Sequence, residues 1–193
     1  MRVVAGLPDT LRADAARLYW QAFGTKLGRV LGPEERALRY LQRSISASHV
    51  IVALSDDGAL LGMIGYRSAE GGFAEGSIDD LRAAYGRIGA AWRAAAMRAI
   101  SGEVDNHRFL IDGICVAPGA RGQGVGTALI EALAQDARTR AYAEMRLDVV
   151  DTNTRARALY ERLGFRAVRS ESLGPLRYLF GFQTAITMVR PLG

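Results

Sequence analysis

A glycine-rich segment near the middle of the chain carries the clearest chemical signal in the sequence. Glycines alternate with other residues between a strand-like run and a helix-like run. Glycine lets backbone N–H groups approach a ligand closely, and the first four N–H groups of a helix have no partner inside it. With the helix macrodipole added, such a segment favours a phosphate or pyrophosphate group. The residues concerned are Arg121, Gly122, Gln123, Gly124, Val125, Gly126 and Thr127.

Two common phosphate-binding motifs do not fit this segment. A Walker A loop needs Gly-Lys-Ser or Gly-Lys-Thr, and the segment contains neither. The dinucleotide fingerprint Gly-x-Gly-x-x-Gly, started from Gly122 or Gly124, would end on Thr127 or Leu129. On the glycines alone, a tight strand-to-helix connection explains the segment as well as an anion site does.

Two further patterns extend the signal. Arg-x-x-Gly-x-Gly after a strand that ends Val-x-Pro resembles the acetyl-coenzyme A loop of the GNAT N-acetyltransferase superfamily. The resemblance is continuous from Phe109 to Phe165, and weaker but consistent over residues 2–66 and 166–192. The second pattern resembles the family's Asn…Ala…Leu-Tyr…Gly-Phe helix and comprises Asn153, Ala156, Leu159, Tyr160, Gly164 and Phe165.

The resemblance implies acetyl-coenzyme A as co-substrate and no metal. The backbone of Ile114, Cys115 and Val116 would hold the pantetheine arm, in a gap that a bulge opens towards the strand Met145–Val150. The amides of residues 121–127 would hold the pyrophosphate. The Val116 N–H would stabilise the developing oxyanion. Asn153 would either bind the cofactor or cap its helix.

Acetyl transfer to an amine also needs a base. An alkylamine has a pKa of about 10.4, so only about one molecule in a thousand is neutral at physiological pH. Asp112 is the candidate, because it stands two residues before Ile114 and is expected on the same strand face, where many GNAT enzymes place an acid. A polar residue that bonds neighbouring backbone is an equally good interpretation, and Glu103 is a weaker candidate.

The resemblance gives Tyr160 the role of general acid towards the departing thiolate. The alternative is a core tyrosine, because position 160 shares an apolar stripe with Ala156 and Leu163. The lone Cys115 is expected to be a buried apolar residue rather than a nucleophile. With His49 and His107 as the only histidines, no metal-ligand spacing is present.

Hydrophobic periodicity predicts the elements that position these residues. Their order indicates an α/β or α+β fold around one mixed sheet, and the resemblance implies a mostly antiparallel GNAT-like sheet flanked by helices. The predicted helices are Thr10–Phe23, Pro33–Ser46, Ser77–Ile100, Thr127–Tyr142 and Asn153–Leu163, with a loop from Gly24 to Gly32. The predicted strands are His49–Leu54, Leu60–Tyr66, Phe109–Val116, Met145–Val150, Phe165–Ser170 and Phe182–Val189.

Residues 67–108 depart from the family pattern, which has a short turn here between its third and fourth strands. We expect a helical insertion that forms one wall or a lid of the acceptor site. Its predicted stripe contains Leu81, Tyr85, Ile88, Trp92 and Ala96, while Gly86 and Gly89 allow a break. An exposed stripe would make the insertion an interaction surface and the protein a possible homodimer.

Composition limits the remaining possibilities. At 193 residues the chain is expected to form a single domain, 1–193. The net charge of +5 comes from scattered arginines with one lysine, Lys26, so no nucleic-acid partner is expected. No apolar run is long enough for a membrane span or a signal peptide. We therefore expect a cytoplasmic protein that does not bind a membrane.

These observations favour an acetyl-coenzyme A-dependent N-acetyltransferase. It would move the acetyl group to a primary amine, more readily that of a small molecule than of a protein, by direct attack in a ternary complex. The alternatives are a protein N-acetyltransferase and a non-catalytic acyl-coenzyme A-binding or sensing domain. The last of these would share the phosphate loop but need neither Asp112 nor Tyr160.

Overall fold

The computed structural model describes residues 1–74, 76–100, 108–174, 178 and 181–193, without the side chains of 98–100. Within these ranges it contains eight strands and five helices. The strands are β1 (Arg2–Ala5), β2 (Val50–Leu54), β3 (Leu60–Ser68), β4 (Gly71–Gly72), β5 (Arg108–Val116), β6 (Glu144–Val150), β7 (Arg166–Ser172) and β8 (Thr184–Pro191). The helices are α1 (Arg12–Leu31), α2 (Glu34–Ser44), α3 (Ile78–Ile100), α4 (Val125–Thr139) and α5 (Thr154–Arg162).

All the described strands join one sheet in the order β1-β2-β3-β5-β6-β8-β7, with β4 attached to β3. The β5–β6 pair is parallel, whereas the other neighbouring pairs are antiparallel. The strand β1, which hydrophobic periodicity did not predict, pairs with β2 from Arg2↔Leu54 to Ala5↔Ile51. The sheet is therefore mixed and mostly antiparallel, as expected.

The sheet separates two hydrophobic cores. Strand β2, which lies next to the edge strand β1, is buried on both faces, with Val50 and Val52 packed in one core and Ile51 and Ala53 in the other. Helices α1, α2 and α3 cover the first face, and α4 and α5 cover the second. The alternation of a strand thus decides which core each side chain enters.

Helix α1 extends further than predicted, so the predicted loop from Gly24 to Gly32 is wrong. The helix continues to Leu31 and ends where Gly32 adopts an extended conformation. Val30 and Leu31 are at most 1% exposed. Burial of such a side chain contributes about 1.5–3 kcal/mol, which exceeds the roughly 1 kcal/mol that each internal glycine costs a helix.

Helix α3 breaks at Gly86, whose φ of 71° and ψ of 174° lie outside the helical region. The predicted continuous stripe is therefore wrong. Tyr85 is buried before the break, but Ile88 is 87% exposed and Trp92 is 44% exposed, while Ala90 faces the core. The break changes the rotational phase of the second half, so residues at helical spacing across it no longer share a face.

Within the described ranges, no helix combines the length and the apolar character that crossing a membrane requires.

Candidate active site

A gap between two neighbouring strands forms the centre of the site. Strands β5 and β6 pair only from Arg108↔Glu144 to Ile111↔Leu147. Beyond that point, residues 112–116 of β5 have no register partner on β6. A cavity of about 1070 Å³ opens there, and α1, β5, the glycine-rich segment, β6 and α5 all contribute to its walls.

A bulge at Asp112 changes which way the rest of β5 faces. Gly113 opposes Gly65 and Ile111 opposes Tyr66, so Asp112 is an extra residue. Such a bulge interrupts the alternation of a strand. Ile111 packs in the α4 core before the bulge and Ile114 packs against the same core after it.

Asp112 does not share the strand face of Ile114, and this expectation was wrong. Its carboxylate lies 3.4 Å from the Arg67 guanidinium, and its side chain is 15% exposed. On the same face, Gly113 approaches Phe23 and Tyr19 of α1. Asp112 therefore lines the α1 side of the cavity, at a position that the ion pair fixes.

Backbone amides of β5 face the gap where the strand is unpaired. Ala117 donates its N–H to the Leu61 carbonyl at 2.8 Å, towards β3. Successive residues of a strand present their amides to opposite edges, so the Val116 N–H faces away from β3 and into the gap. The family resemblance implies an oxyanion-stabilising role for this same N–H group.

The glycine-rich segment brings a helix N-terminus to the mouth of the gap. Gly122 and Gly124 have φ values of +79° and +81°, which other residues rarely adopt. Helix α4 begins at Val125, two residues earlier than predicted, and no side chain caps it. The first-turn N–H groups of residues 125–127 are therefore available to an anion.

The remaining glycine allows a close approach between two helices. A Cβ at Gly126 would lie 3.2 Å from a Leu159 methyl carbon of α5. A larger residue would require the Leu159 side chain or the helix to shift by a few tenths of an ångström. The glycines at 122 and 124 thus serve backbone conformation, whereas Gly126 serves packing.

Two polar side chains of the glycine-rich segment donate hydrogen bonds to nearby backbone carbonyl groups. The Arg121 Nε donates to the Val116 carbonyl at 3.2 Å, and the Gln123 Nε2 donates to the Gly119 carbonyl at 2.7 Å. Arg121 also lines the cavity, but Gln123 does not. The structure therefore supports a structural role for the Gln123 side chain rather than contact with a ligand.

Helix α5 contributes Asn153 and Tyr160 to the cavity wall. The Asn153 Oδ1 accepts a hydrogen bond from the Ala156 N–H at 3.3 Å, so Asn153 caps its helix. Tyr160 is 6% exposed, and burial raises the pKa of its hydroxyl to about 12. The phenol is consequently protonated at physiological pH and able to donate a hydrogen bond.

The lone cysteine is buried, as expected. Cys115 is 3% exposed and packs on the α1 side of the sheet. Burial raises the pKa of its thiol, which keeps the sulfur protonated and unreactive. Its side chain is thus unsuited to nucleophilic attack.

Other candidates lie away from the cavity or outside the described residues. His49 contacts the hydroxyls of Ser46, Ser48 and Ser68, and it does not line the cavity. His107 and Glu103 lie outside the described residues. In the described ranges, no three His, Cys, Asp or Glu side chains form a group able to hold a metal.

Helix α1 supplies cavity residues that the sequence reasoning did not single out, although the family resemblance implied an acceptor site beside the first two helices. Tyr19, Phe23 and Lys26 line the cavity from this helix. Their i, i+4, i+7 spacing is that of one helical face, but Lys26 fell in the segment predicted as a loop. Burial raises the pKa of Tyr19 and lowers that of Lys26.

The floor opposite α1 contains a second acid that was also missed. Asp148 of β6 accepts a hydrogen bond from the Thr187 hydroxyl at 2.6 Å and lies 3.3 Å from Arg146. Both Arg146 and Asp148 line the cavity and alternate with the buried Leu147. This period-two alternation was visible in the sequence.

The cavity therefore combines three kinds of surface. One end offers uncapped helix amides, the middle offers an unpaired strand edge, and the α1 side offers aromatic rings with charged groups. Such an arrangement can hold a long phosphorylated ligand and bring its far end to a second, polar molecule.

Two curated relatives share part of this sequence. A streptothricin acetyltransferase from Streptomyces lavendulae is 38% identical over 92 residues, which is 48% of each chain. A thialysine N-epsilon-acetyltransferase from Mus musculus is 39% identical over 70 residues, 36% of this chain and 41% of that one. The chain thus spans about half the length of the curated relatives it matches.

The fold and the family agree with these matches. An N-acetyltransferase structure from Staphylococcus aureus Mu50 superposes with a TM-score of 0.68 at 15% identity, over 98% of this chain and 100% of that one. A family model described as the acetyltransferase (GNAT) family matches residues 13–165. The chain therefore belongs to the acetyltransferase (GNAT) family.

Proposed function

We propose that this protein is an acetyl-coenzyme A-dependent N-acetyltransferase that acetylates a primary amine of a small molecule by direct attack. The observation that carries the proposal is the β5–β6 gap, which joins an uncapped helix N-terminus to Asp112 and Tyr160 within one cavity. Family membership supports the reaction class.

Two features of the cavity support acetyl-coenzyme A as its co-substrate. The first-turn amides of α4 and the adjacent Arg121 would bind its pyrophosphate. The unpaired edge of residues 114–116 would bind the amide groups of its pantetheine arm. When bound, acetyl-coenzyme A supplies an activated acetyl thioester.

Three groups of the chain would then assist acetyl transfer, at the carbonyl oxygen, at the attacking amine and at the leaving sulfur. The Val116 N–H would stabilise negative charge on the carbonyl oxygen. Asp112 would accept the proton that the attacking amine loses, directly or through water. Tyr160 would donate a hydrogen bond to the leaving sulfur, and full proton transfer is unnecessary because a thiol has an ordinary pKa of about 8.5.

Two observations support a small acceptor. The acceptor side of the cavity has walls on both sides, with Phe23 and Lys26 on α1 facing Leu173 and Phe182 from the other end of the chain. The curated relatives are named for streptothricin and thialysine. A walled cavity suits a small molecule better than a peptide, which needs an open groove.

Isotopically labelled acetyl-coenzyme A tests the proposal. The purified protein is incubated separately with the small-molecule and the protein fractions of a cell extract, and mass spectrometry locates the label. We expect the label on a small amine. Label on protein termini would instead indicate a protein N-acetyltransferase, and bound cofactor without transfer would indicate a sensing domain.

A further inference from the structure

The only lysine of this chain lies in the wall of the acceptor cavity. Lys26 stands on α1, three residues beyond Phe23 and on the same helical face. Arginine supplies the other 24 basic residues among the 25. Lys26 therefore carries the one side-chain ammonium of a chain whose other basic side chains among these 25 are guanidinium groups.

The Lys26 ammonium is half-buried and has aromatic neighbours. Its Nζ lies 5.8 Å from the ring centroid of Phe23 and 6.0 Å from that of Phe182. No carboxylate of the described residues lies within 4 Å of this Nζ. Ring faces attract a cation but do not neutralise it, and burial lowers the pKa of Lys26 below its ordinary value. An anion that entered the cavity would stabilise this charge.

The acids that β5 and β6 contribute to the cavity wall are held in ion pairs. Asp112 and Asp148 directly follow Ile111↔Leu147, the last register pair of β5 and β6. Asp112 is paired with Arg67, and Asp148 with Arg146. Glu171, the remaining carboxylate among the described lining residues, is paired with Arg169. Each described acid of the lining therefore has a cationic partner, and Lys26 leaves positive charge on the acceptor side of the cavity.

We infer that the acceptor carries a carboxylate that pairs with Lys26, which makes the substrate an amino acid or a similar amine with one negative charge. This inference rests on the proposed function and names its substrate class. A carboxylate suits the site better than a phosphate monoester, because one ammonium balances one negative charge, whereas the monoester carries nearly two at neutral pH.

Matched acceptors test the inference through catalysis. L-Lysine is compared with L-lysinamide, and L-ornithine with 1,4-diaminobutane, so that each pair differs in the carboxylate. We expect kcat/KM to favour the carboxylate-bearing member by about tenfold or more, mainly through KM, since a charge-assisted hydrogen bond is lost with it. Equal kcat/KM values within both pairs would overturn the inference.

Variants of Lys26 separate charge recognition from other roles. Lys26→Met should bring the kcat/KM ratio of L-lysine to L-lysinamide close to one, whereas Lys26→Arg should retain most of it. Arg29→Met is the matched control, because it removes an exposed charge from the same helix outside the cavity. Equal losses of kcat in both Lys26 variants would mean that Lys26 acts as a base, which contradicts the inference.

A measurement without turnover distinguishes failure of the inference from failure of the proposed function. Since the chain has one lysine, labelling with ¹³C-lysine gives a single Cε signal whose pH titration reports Lys26. Unlabelled L-lysine, with coenzyme A present, should raise the midpoint of that titration, because a bound anion favours the ammonium form. L-Lysinamide should not raise it. The same midpoint with both ligands would overturn the inference even if no amine is acetylated.

Discussion

At the scale of single residues, the account depends first on the Tyr160 hydroxyl. We expect Tyr160→Phe to lower kcat about a hundredfold, within the usual range for loss of a general acid, and to leave acetyl-coenzyme A affinity nearly unchanged. Steady-state kinetics and cofactor titration measure the two effects. Because burial raises the pKa of Tyr160 to about 12, its ionisation should not reduce kcat between pH 8 and pH 10.

Tyr142 provides the matched control for this substitution. It is a tyrosine outside the cavity, and its ring packs against Phe109 with centroids 4.9 Å apart. Tyr142→Phe should therefore leave kcat unchanged. If the Tyr160→Phe enzyme had the wild-type kcat, Tyr160 would be a core tyrosine without a catalytic role.

The role of Asp112 is the second prediction at this scale. Asp112→Asn keeps the shape and the contact with Arg67 but removes the proton acceptor. We expect kcat to fall at least about tenfold, the lower part of the range for general-base catalysis. Asp14→Asn, which alters an exposed ion pair with Arg17 on α1, is the control and should have little effect. Equal turnover in the two variants would make Asp112 a structural residue.

Sequence reasoning located most residues of the candidate site but not their orientations. The residue types and spacing at positions 121–127 predicted a helix N-terminus facing a ligand, since glycines and free amides are local properties. The orientation of Asp112 depends on how β5 pairs with β3. Gly65 and Tyr66 of β3 pair with Gly113 and Ile111, and Asp112 is the extra residue between them. Pairing with a distant strand leaves no local signal, so the bulge reversed the predicted face.

At the scale of elements, the break in α3 gives a testable difference between two glycines. Gly86 has φ 71° and ψ 174°, a region nearly restricted to glycine. Gly86→Ala should reduce the free energy of unfolding by about 1–3 kcal/mol through backbone strain alone, because no atom lies within 4 Å of the added Cβ. Denaturant titration measures this change.

Gly28 is the matched control within a regular helix. A Cβ there also meets no atom within 4 Å, and α1 is helical throughout this segment. Gly28→Ala should therefore stabilise the protein by about 0.4–1 kcal/mol. A stabilising effect of both alanines would show that α3 has no break at Gly86 in solution.

The extent of α1 shows why element boundaries were the weakest part of the sequence analysis. Gly24 and Gly28 favour a loop locally, but Val30 and Leu31 are buried against distant parts of the chain. Burial in the tertiary structure outweighed the propensity of the glycines. The same extension places Lys26 on the helical face that lines the cavity, a position that the predicted loop did not give it.

At the scale of the whole molecule, buried phenols predict loss of stability in alkaline solution. Burial raises the pKa of both Tyr160 and Tyr85 to about 12, against 10.0 in the unfolded chain. The folded state therefore favours the neutral phenols. Their contribution to the free energy of unfolding is complete below pH 10 and is lost as pH rises through 12. Tyr160 contributes at most about 2–3 kcal/mol in this way.

Unfolding by denaturant at pH 8 and at pH 11 tests this linkage. We expect a lower free energy of unfolding at pH 11, with an increase in tyrosinate absorbance that coincides with unfolding. If the free energy of unfolding remained constant up to pH 12, these phenols would have to ionise while still folded, and Tyr160 would not be buried as described.

The architecture as a whole was predictable because its main determinants are periodic. Short apolar runs in β2 and β5, the alternation in β6 and the 3.6-residue pattern of α4 predicted an α/β fold around one mixed sheet. The strand β1 was missed because four residues give too short a pattern to recognise. Its pairing with β2 exists only in the assembled sheet.

The most direct test of the account is a single-turnover reaction with labelled acetyl-coenzyme A, quenched at intervals with and without a primary amine. Direct attack in the β5–β6 cavity predicts that label leaves the thioester only when the amine is present. It also predicts that the label appears on the amine with no labelled protein beforehand, since Cys115 is buried. Label on the protein before amine is added, or no transfer by protein that binds the cofactor, would contradict the account.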